Sequence, residues 1–154
     1  MFKRILLTGL LLFLSSCGYE AIHSKKNSIN YNFSISELMF IGNRDVNLKI
    51  KEKLNNYAFD KKDKDFILKI SSSTEKIVLA KNTAGDPTSF KSTILIDIDV
   101  IMKKNLKSNF QIVENFNYNN NTDKFSLKRY EKEIINNLAE TASEKIIYRL
   151  SNIK

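Results

Sequence analysis

Cys17 is the residue whose type and position are best suited to chemistry, and it is the only cysteine among the 154 residues of this chain. A thiol is a soft nucleophile that is readily alkylated. Cys17 directly follows the small residues Ser15 and Ser16, which come after an apolar run at 5–14 and a short basic start at 1–4. This layout is typical of a secretory signal peptide, because the apolar run is too short to span a bilayer.

The segment Leu14-Ser15-Ser16-Cys17 resembles the lipobox of bacterial lipoproteins. The resemblance implies that the Cys17 thiol receives a diacylglyceryl group, that residues 1–16 are cleaved off, and that the new amine is acylated as well. One acyl chain holds a protein only marginally, whereas two or three make the attachment effectively permanent. Gly18 stands where an aspartate would resemble an inner-membrane retention signal, so delivery to the outer membrane, facing the periplasm, is favoured. The alternative is an ordinary signal peptide with an incidental cysteine.

The other reactive residue types offer little material for catalysis. His23 is the only histidine, and the chain contains neither a Gly-x-Ser-x-Gly motif nor a phosphate-binding glycine loop. Asp97 and Asp99 share one face of a predicted strand, a placement more typical of a solvated surface than of a pair of catalytic carboxylates. We therefore predict a protein that is not an enzyme, with no catalytic residues, no metal site and no cofactor.

Two cationic segments are candidates for ligand binding. Lys91 stands beside Phe90 at the end of a predicted long loop between the second and third strands, and this pairs a charge with apolar surface. Lys124, Lys128 and Arg129 stand at the predicted start of the last helix, where cations do not favour the helix dipole. The alternative in both cases is an ordinary solvated turn.

The net charge limits the classes of partner that this chain could bind. The chain carries 25 basic and 17 acidic side chains, a formal charge of +8. Loss of Lys3 and Arg4 with the signal peptide would leave 23 against 17, or +6. Such an excess suits an anionic membrane surface or a phosphorylated ligand, while the predicted export argues against nucleic acid. The alternative is a compositional origin of the charge, since Lys, Asn and Ile are abundant throughout.

No structural disulfide can form, because lipidation would consume the one cysteine. The fold must therefore be held together by packing alone.

Hydrophobic periodicity predicts four strands and two helices. Residues of alternating polarity predict strands at 30–41, 66–72 with an extension to 80, 93–102 and 110–118. Apolar residues spaced three and four apart predict a helix from Arg44, capped by Asn43, and a closing helix of about 25 residues. The predicted fold is α+β, a four-stranded mainly antiparallel sheet with two helices packed on one face, in the order β-α-β-β-β-α. The predicted organisation is a cleaved signal peptide at 1–16, a lipid-anchored tether at 17–30, and a single periplasmic domain at 31–154.

Over almost its whole length this pattern resembles the LPS-assembly lipoprotein family, LptE. The resemblance rests on the Cys17-Gly18-Tyr19 start, the helix at 44–54, the segments 69–70 and 77–84 followed by the strand at 94–100, and the closing segment 139–150. It implies a non-enzymatic partner of the outer-membrane β-barrel LptD. Within that barrel the lipoprotein would act as a plug, assist barrel assembly and help insert lipopolysaccharide into the outer leaflet.

The resemblance also implies lipopolysaccharide binding by basic residues near the loop between strands two and three and near the approach to the final helix. In this sequence those positions correspond to Lys91 and Lys128, although the segment 85–91 is shorter and differently charged than in the family. The second hypothesis is an accessory lipoprotein of a lipid-trafficking ABC transporter, which shares the anchor and the small α+β domain. A third class, a lipid-anchored hydrolase, lacks any nucleophile and base in a suitable pattern.

Overall fold

Four strands and two helices follow one another in the predicted order β-α-β-β-β-α. The computed structural model describes residues 31–58 and 61–153, so the predicted signal peptide, Cys17 and the tether at 17–30 lie outside the described residues. The elements are β1 (Ser34–Gly42), α1 (Arg44–Leu54), a short 3-10 turn (Asn55–Tyr57), β2 (Asp65–Lys81), β3 (Pro87–Met102), β4 (Asn105–Asn119) and α2 (Lys124–Ser151).

The strands form one sheet in the spatial order β1-β2-β3-β4. Strand β3 runs antiparallel to both β2 and β4, as predicted, whereas β1 is parallel to β2, with α1 as the crossover between them. The sheet is therefore mixed. A register shift between Ile35 and Glu37 interrupts the regular pairing of β1 with β2.

Both helices cover the same face of the sheet and enclose the core. Alternate residues of β3 supply one side of this core, and Ile94, Ile96 and Ile98 are fully buried there. The helices supply the other side through apolar side chains spaced three and four apart, including Ile50 of α1 and Ile146 of α2. This arrangement confirms the predicted fold class.

Polar side chains define where each helix begins. The side-chain oxygen of Asn43 accepts hydrogen bonds from the backbone N–H groups of Asp45 and Val46, which confirms Asn43 as the N-cap of α1. Asp123 caps α2 in the same way and also accepts a bond from the Ser126 hydroxyl. That bond and the N–H donors of the first turn lower the pKa of the Asp123 carboxyl.

Gly42 ends β1 at a point where no larger residue fits. Its φ is +97°, and a Cβ atom at this position would lie 1.9 Å from the carbonyl oxygen of Ser72. The next residue, Asn43, donates its N–H to that oxygen at 3.0 Å before the chain turns into α1. Strand β1 therefore stops opposite Ser72, while β2 continues to Lys81.

The hairpin between β2 and β3 is longer than predicted, and the expected long loop ending at Lys91 is wrong. The turn covers only residues 82–86, where the Asn82 side chain accepts the N–H groups of Ala84 and Asp86. Lys91 lies within β3, paired with Ile77 of β2. The segment 87–92 is extended because it has a strand partner on each side, β2 and β4.

Candidate ligand-binding cleft

An open cleft of about 690 Å³ lies beside the start of α2, on the side of the sheet that carries the helices. Its lining comes from four elements: Asn43 and Asp45 at the start of α1, residues 74–76 of β2, Ser92 of β3, and one side of the first three turns of α2. Strand β1 ends at Gly42, so no described strand pairs with β2 beyond Ser72 along the side of the cleft.

The α2 wall of the cleft combines positive charge with apolar surface. Lys128, Arg129 and Lys132 are exposed on it, and among the residues that the structure describes none of them forms an ion pair. Phe125, one turn before Arg129, is 76% exposed, and Ile135 adds further apolar lining. This wall is suited to an anionic group attached to an apolar body.

A polar network holds the floor of the cleft in place. Lys76 reaches from β2 to Glu131 of α2, with Nζ 2.5 Å from Oε1, and its Nζ lies 4.0 Å from the centre of the Phe90 ring. The Tyr118 hydroxyl donates to the same Glu131 oxygen at 2.9 Å. These contacts join β2, β3, β4 and the first part of α2.

The same network keeps Lys76 positively charged. Partial burial by itself lowers the pKa of the Lys76 ammonium, but the hydrogen bond to Glu131 and the electrostatic interactions with Glu131 and Tyr118 outweigh it, so the pKa is raised. Burial raises the pKa of the Tyr118 hydroxyl, which therefore stays protonated and able to donate. Lys76 thus acts as a fixed support rather than as a free ligand-binding cation.

The two cations suggested by the family resemblance lie on opposite sides of the sheet. Lys128 is on the cleft wall. Lys91 is on the outer face, away from the helices, because successive residues of a strand point to opposite sides and its neighbour Phe90 is buried on the helix side. The expected pair of Lys91 with Phe90 is therefore wrong, and the cation that contacts Phe90 is Lys76.

Sequence reasoning missed Lys76, although its position in the strand pattern marks it. Phe66, Leu68 and Ile70 face the core at alternate positions, and continuation of that alternation puts Lys76 on the same side. A lysine on a core-facing position indicates a partner for its charge. The partner itself, Glu131, is 55 residues away and was not recognisable without the fold.

The carboxylates Asp97 and Asp99 lie on the outer face, where amide side chains of β4 contact them. Gln111 donates to Asp97 at 2.8 Å and Asn109 donates to Asp99 at 2.5 Å. Within 31–58 and 61–153, no group of three or more His, Cys, Asp or Glu side chains is arranged to hold a metal ion. No helix in that part of the chain is both long and apolar enough to cross a membrane.

Several solved structures of bacterial lipoproteins are similar in fold to this chain. A rare lipoprotein B from Shewanella oneidensis superposes with a TM-score of 0.60 at 13% identity, over 75% of this chain and 93% of that one. A minor lipoprotein from Acinetobacter baumannii gives 0.57 at 9% identity, over 75% and 90%. Lipoprotein B from Nitrosomonas europaea gives 0.53 at 11% identity, over 79% and 86%.

The fold is that of these bacterial lipoproteins. No protein-family model and no curated protein sequence matches the chain. At such low identities the likeness is one of fold alone.

Proposed function

We propose that this chain is an outer-membrane lipoprotein that plugs an LptD-like β-barrel, assists its assembly and helps insert lipopolysaccharide into the outer leaflet. The role is non-enzymatic, with the anchor at Cys17 and the α+β domain on the periplasmic side and within the barrel. Support comes from the lipobox, from the resemblance of the sequence to the LPS-assembly lipoproteins, and from the fold shared with bacterial lipoproteins.

The observation that carries the ligand part of this proposal is the α2 wall of the cleft. Lipopolysaccharide presents phosphate groups on an apolar body. Among the described residues Lys128, Arg129 and Lys132 form no ion pair, although Asp45 and Glu75 also line the cleft, and Phe125 offers exposed apolar surface one turn away. Lys128 is the member of this group that the family resemblance also indicates.

Replacing Lys128 with glutamate is expected to weaken lipopolysaccharide binding about tenfold. Hydrogen bonds to a charged group contribute about 1.5–3 kcal/mol, and solvent and salt reduce this at an exposed site. Binding of purified lipopolysaccharide to the full mature protein in detergent provides the measurement. Lys107→Glu on exposed β4 makes the same change in net charge away from the cleft and serves as the matched control.

Lys91→Glu and the Lys91→Glu/Lys128→Glu double variant test the second cation. Because Lys91 faces the opposite side of the sheet, its replacement alone should weaken binding less than Lys128→Glu does. Association with the barrel should survive in all of these variants. If Lys128→Glu and Lys107→Glu have equal effects, the attraction depends on net charge and the cleft is not the lipopolysaccharide site.

Copurification distinguishes the barrel partner from the second hypothesis, an accessory lipoprotein of a lipid-trafficking ABC transporter. We expect crosslinking in membranes to recover a large outer-membrane β-barrel together with the chain, and recovery of an inner-membrane ATPase complex would favour the alternative.

Cys17→Ser should abolish acyl-chain incorporation and leave residues 1–16 uncleaved. Normal acyl labelling of that variant would contradict the anchor.

A further inference from the structure

Among the residues that the structure describes, no strand lies beside the second half of β2 on the β1 side. Beyond Ser72, β3 is the only described strand hydrogen-bonded to β2. The carbonyl of Ser72 accepts from Asn43, so the backbone groups of Ser72 point toward the β1 side. Because these groups alternate in direction along a strand, the N–H and C=O groups of Thr74, Lys76 and Val78 point to the same side. We name residues 74–81 of β2 the free edge.

The free edge combines charged residues with an apolar run. Glu75, Lys76 and Lys81 are charges of the kind that limit unselective pairing at a sheet edge. Here Ile77, Val78 and Leu79 are consecutive apolar residues of high strand propensity, each between 41% and 47% exposed. Both faces of this segment are open to solvent, since every residue from 73 to 81 is exposed.

The cleft lies directly alongside this edge. Thr74 and Lys76 belong to both, and α2 forms the opposite wall. A strand added to the free edge would continue the line of β1 past Gly42. Its side chains on the helix side would then lie over the cleft, near Lys128, Arg129 and Lys132.

We propose that the free edge binds an extended segment of another polypeptide by strand addition. Backbone hydrogen bonds to Thr74, Lys76 and Val78 would supply affinity, and the cleft would select side chains at alternate positions. The unpaired cations of α2 select acidic side chains on the cleft side of the added strand. On the outer side, Ile77 selects apolar ones. This inference uses backbone groups and does not depend on the lipopolysaccharide proposal.

Charge complementarity favours another polypeptide over a second copy of this chain. A copy paired through its own free edge, with its helices on the same side of the sheet, would bring its Thr74, Lys76 and Val78 to the cleft side. That arrangement would bring no unpaired acidic side chain to the three cations of the α2 wall, because Lys76 is already paired with Glu131 in each copy. An acidic segment would instead neutralise this wall.

An eight-residue peptide of alternating valine and glutamate is the probe for this site. We expect the labelled peptide to bind the full mature protein in detergent, as measured by fluorescence anisotropy, and a valine–lysine peptide to bind at least about tenfold more weakly. Two further versions carry N-methyl groups on all valines or on all glutamates. Only one set of N–H groups can face β2, so one version should lose binding and the other should retain it.

Val78→Pro tests the same contact from the protein side. Proline removes the Val78 N–H, which points to the free edge and not to β3. Proline is tolerated in a strand at edge positions of this kind. Val78→Thr keeps the N–H and the branched shape and serves as the matched control. We expect Val78→Pro to weaken peptide binding about tenfold or more and Val78→Thr to leave it within about twofold.

Three results would overturn the proposal. Equal binding of both N-methylated peptides would exclude backbone pairing at this edge. Equal binding of the valine–lysine peptide would exclude the selection of acidic side chains by the α2 wall. A dimer of the unmodified protein that Val78→Pro dissociates would show that the edge is occupied by a second copy.

Discussion

Replacing Ile146 with alanine is expected to lower the free energy of unfolding by about 2–5 kcal/mol. Ile146 is fully buried on the side of α2 that packs against the sheet and α1, so its loss leaves a cavity that the surrounding side chains fill only in part. A small domain of this kind has a total stability of about 5–15 kcal/mol. Urea unfolding monitored by circular dichroism measures the difference.

Tyr148→Ala on the same helix is the matched control for that change. Tyr148 is 68% exposed, and substitutions at exposed positions usually alter stability by less than about 0.5 kcal/mol. If Ile146→Ala and Tyr148→Ala were equally mild, the apolar stripe of α2 would not be the one that closes the core, and this helix face would have to contact something outside the domain.

Gly42→Ala is expected to cost about 3–5 kcal/mol. Two separate penalties add at this position: the positive φ, which costs a non-glycine residue about 1–3 kcal/mol, and the 1.9 Å approach of the new Cβ to the Ser72 carbonyl oxygen. That oxygen belongs to the backbone and is held by the Asn43 N–H, so relief of the clash would have to separate β1 from β2.

Gly85→Ala separates these two penalties. Gly85 also has a positive φ, +89°, but nothing lies within 4 Å of a Cβ built on it. Its replacement should therefore show the conformational cost alone, and thermal unfolding of the two variants gives the difference between them. Equal loss of stability in both would mean that β1 shifts freely and that Gly42 is not required for close approach.

The helices were predictable from sequence because their determinants are local. Caps at Asn43 and Asp123 are formed with residues two and three positions away, and the buried stripe of α1 repeats within eleven residues. The alternation of Ile94, Ile96 and Ile98 identified β3 for the same reason. In each case the pattern and its physical cause lie within one element.

The features that sequence reasoning missed depend on contacts between elements. The segment 87–92 is polar and has little alternation, and it is extended because β2 and β4 hydrogen-bond to it from both sides. The parallel direction of β1 is likewise a property of the pairing and not of either strand. The sequence pattern did not show that Lys91 and Lys128 lie on opposite faces of the sheet. This is seen only from the full length of β3, which places Lys91 on the outer face.

The parallel pairing of β1 with β2 also bears on the order of folding. Ser34 of β1 and Asp65 of β2 lie side by side but are 31 residues apart in sequence. Strands β2, β3 and β4 are instead joined by tight turns, so their pairing can begin at each turn and extend along the strands. Closing a long loop costs more chain entropy than closing a hairpin. We infer that β1 docks last and detaches first, with the fastest amide hydrogen exchange in the sheet. Each detachment would extend the unpaired side of β2 back to Asp65, so the lifetime of the β1 contact determines how much strand the domain exposes to its surroundings.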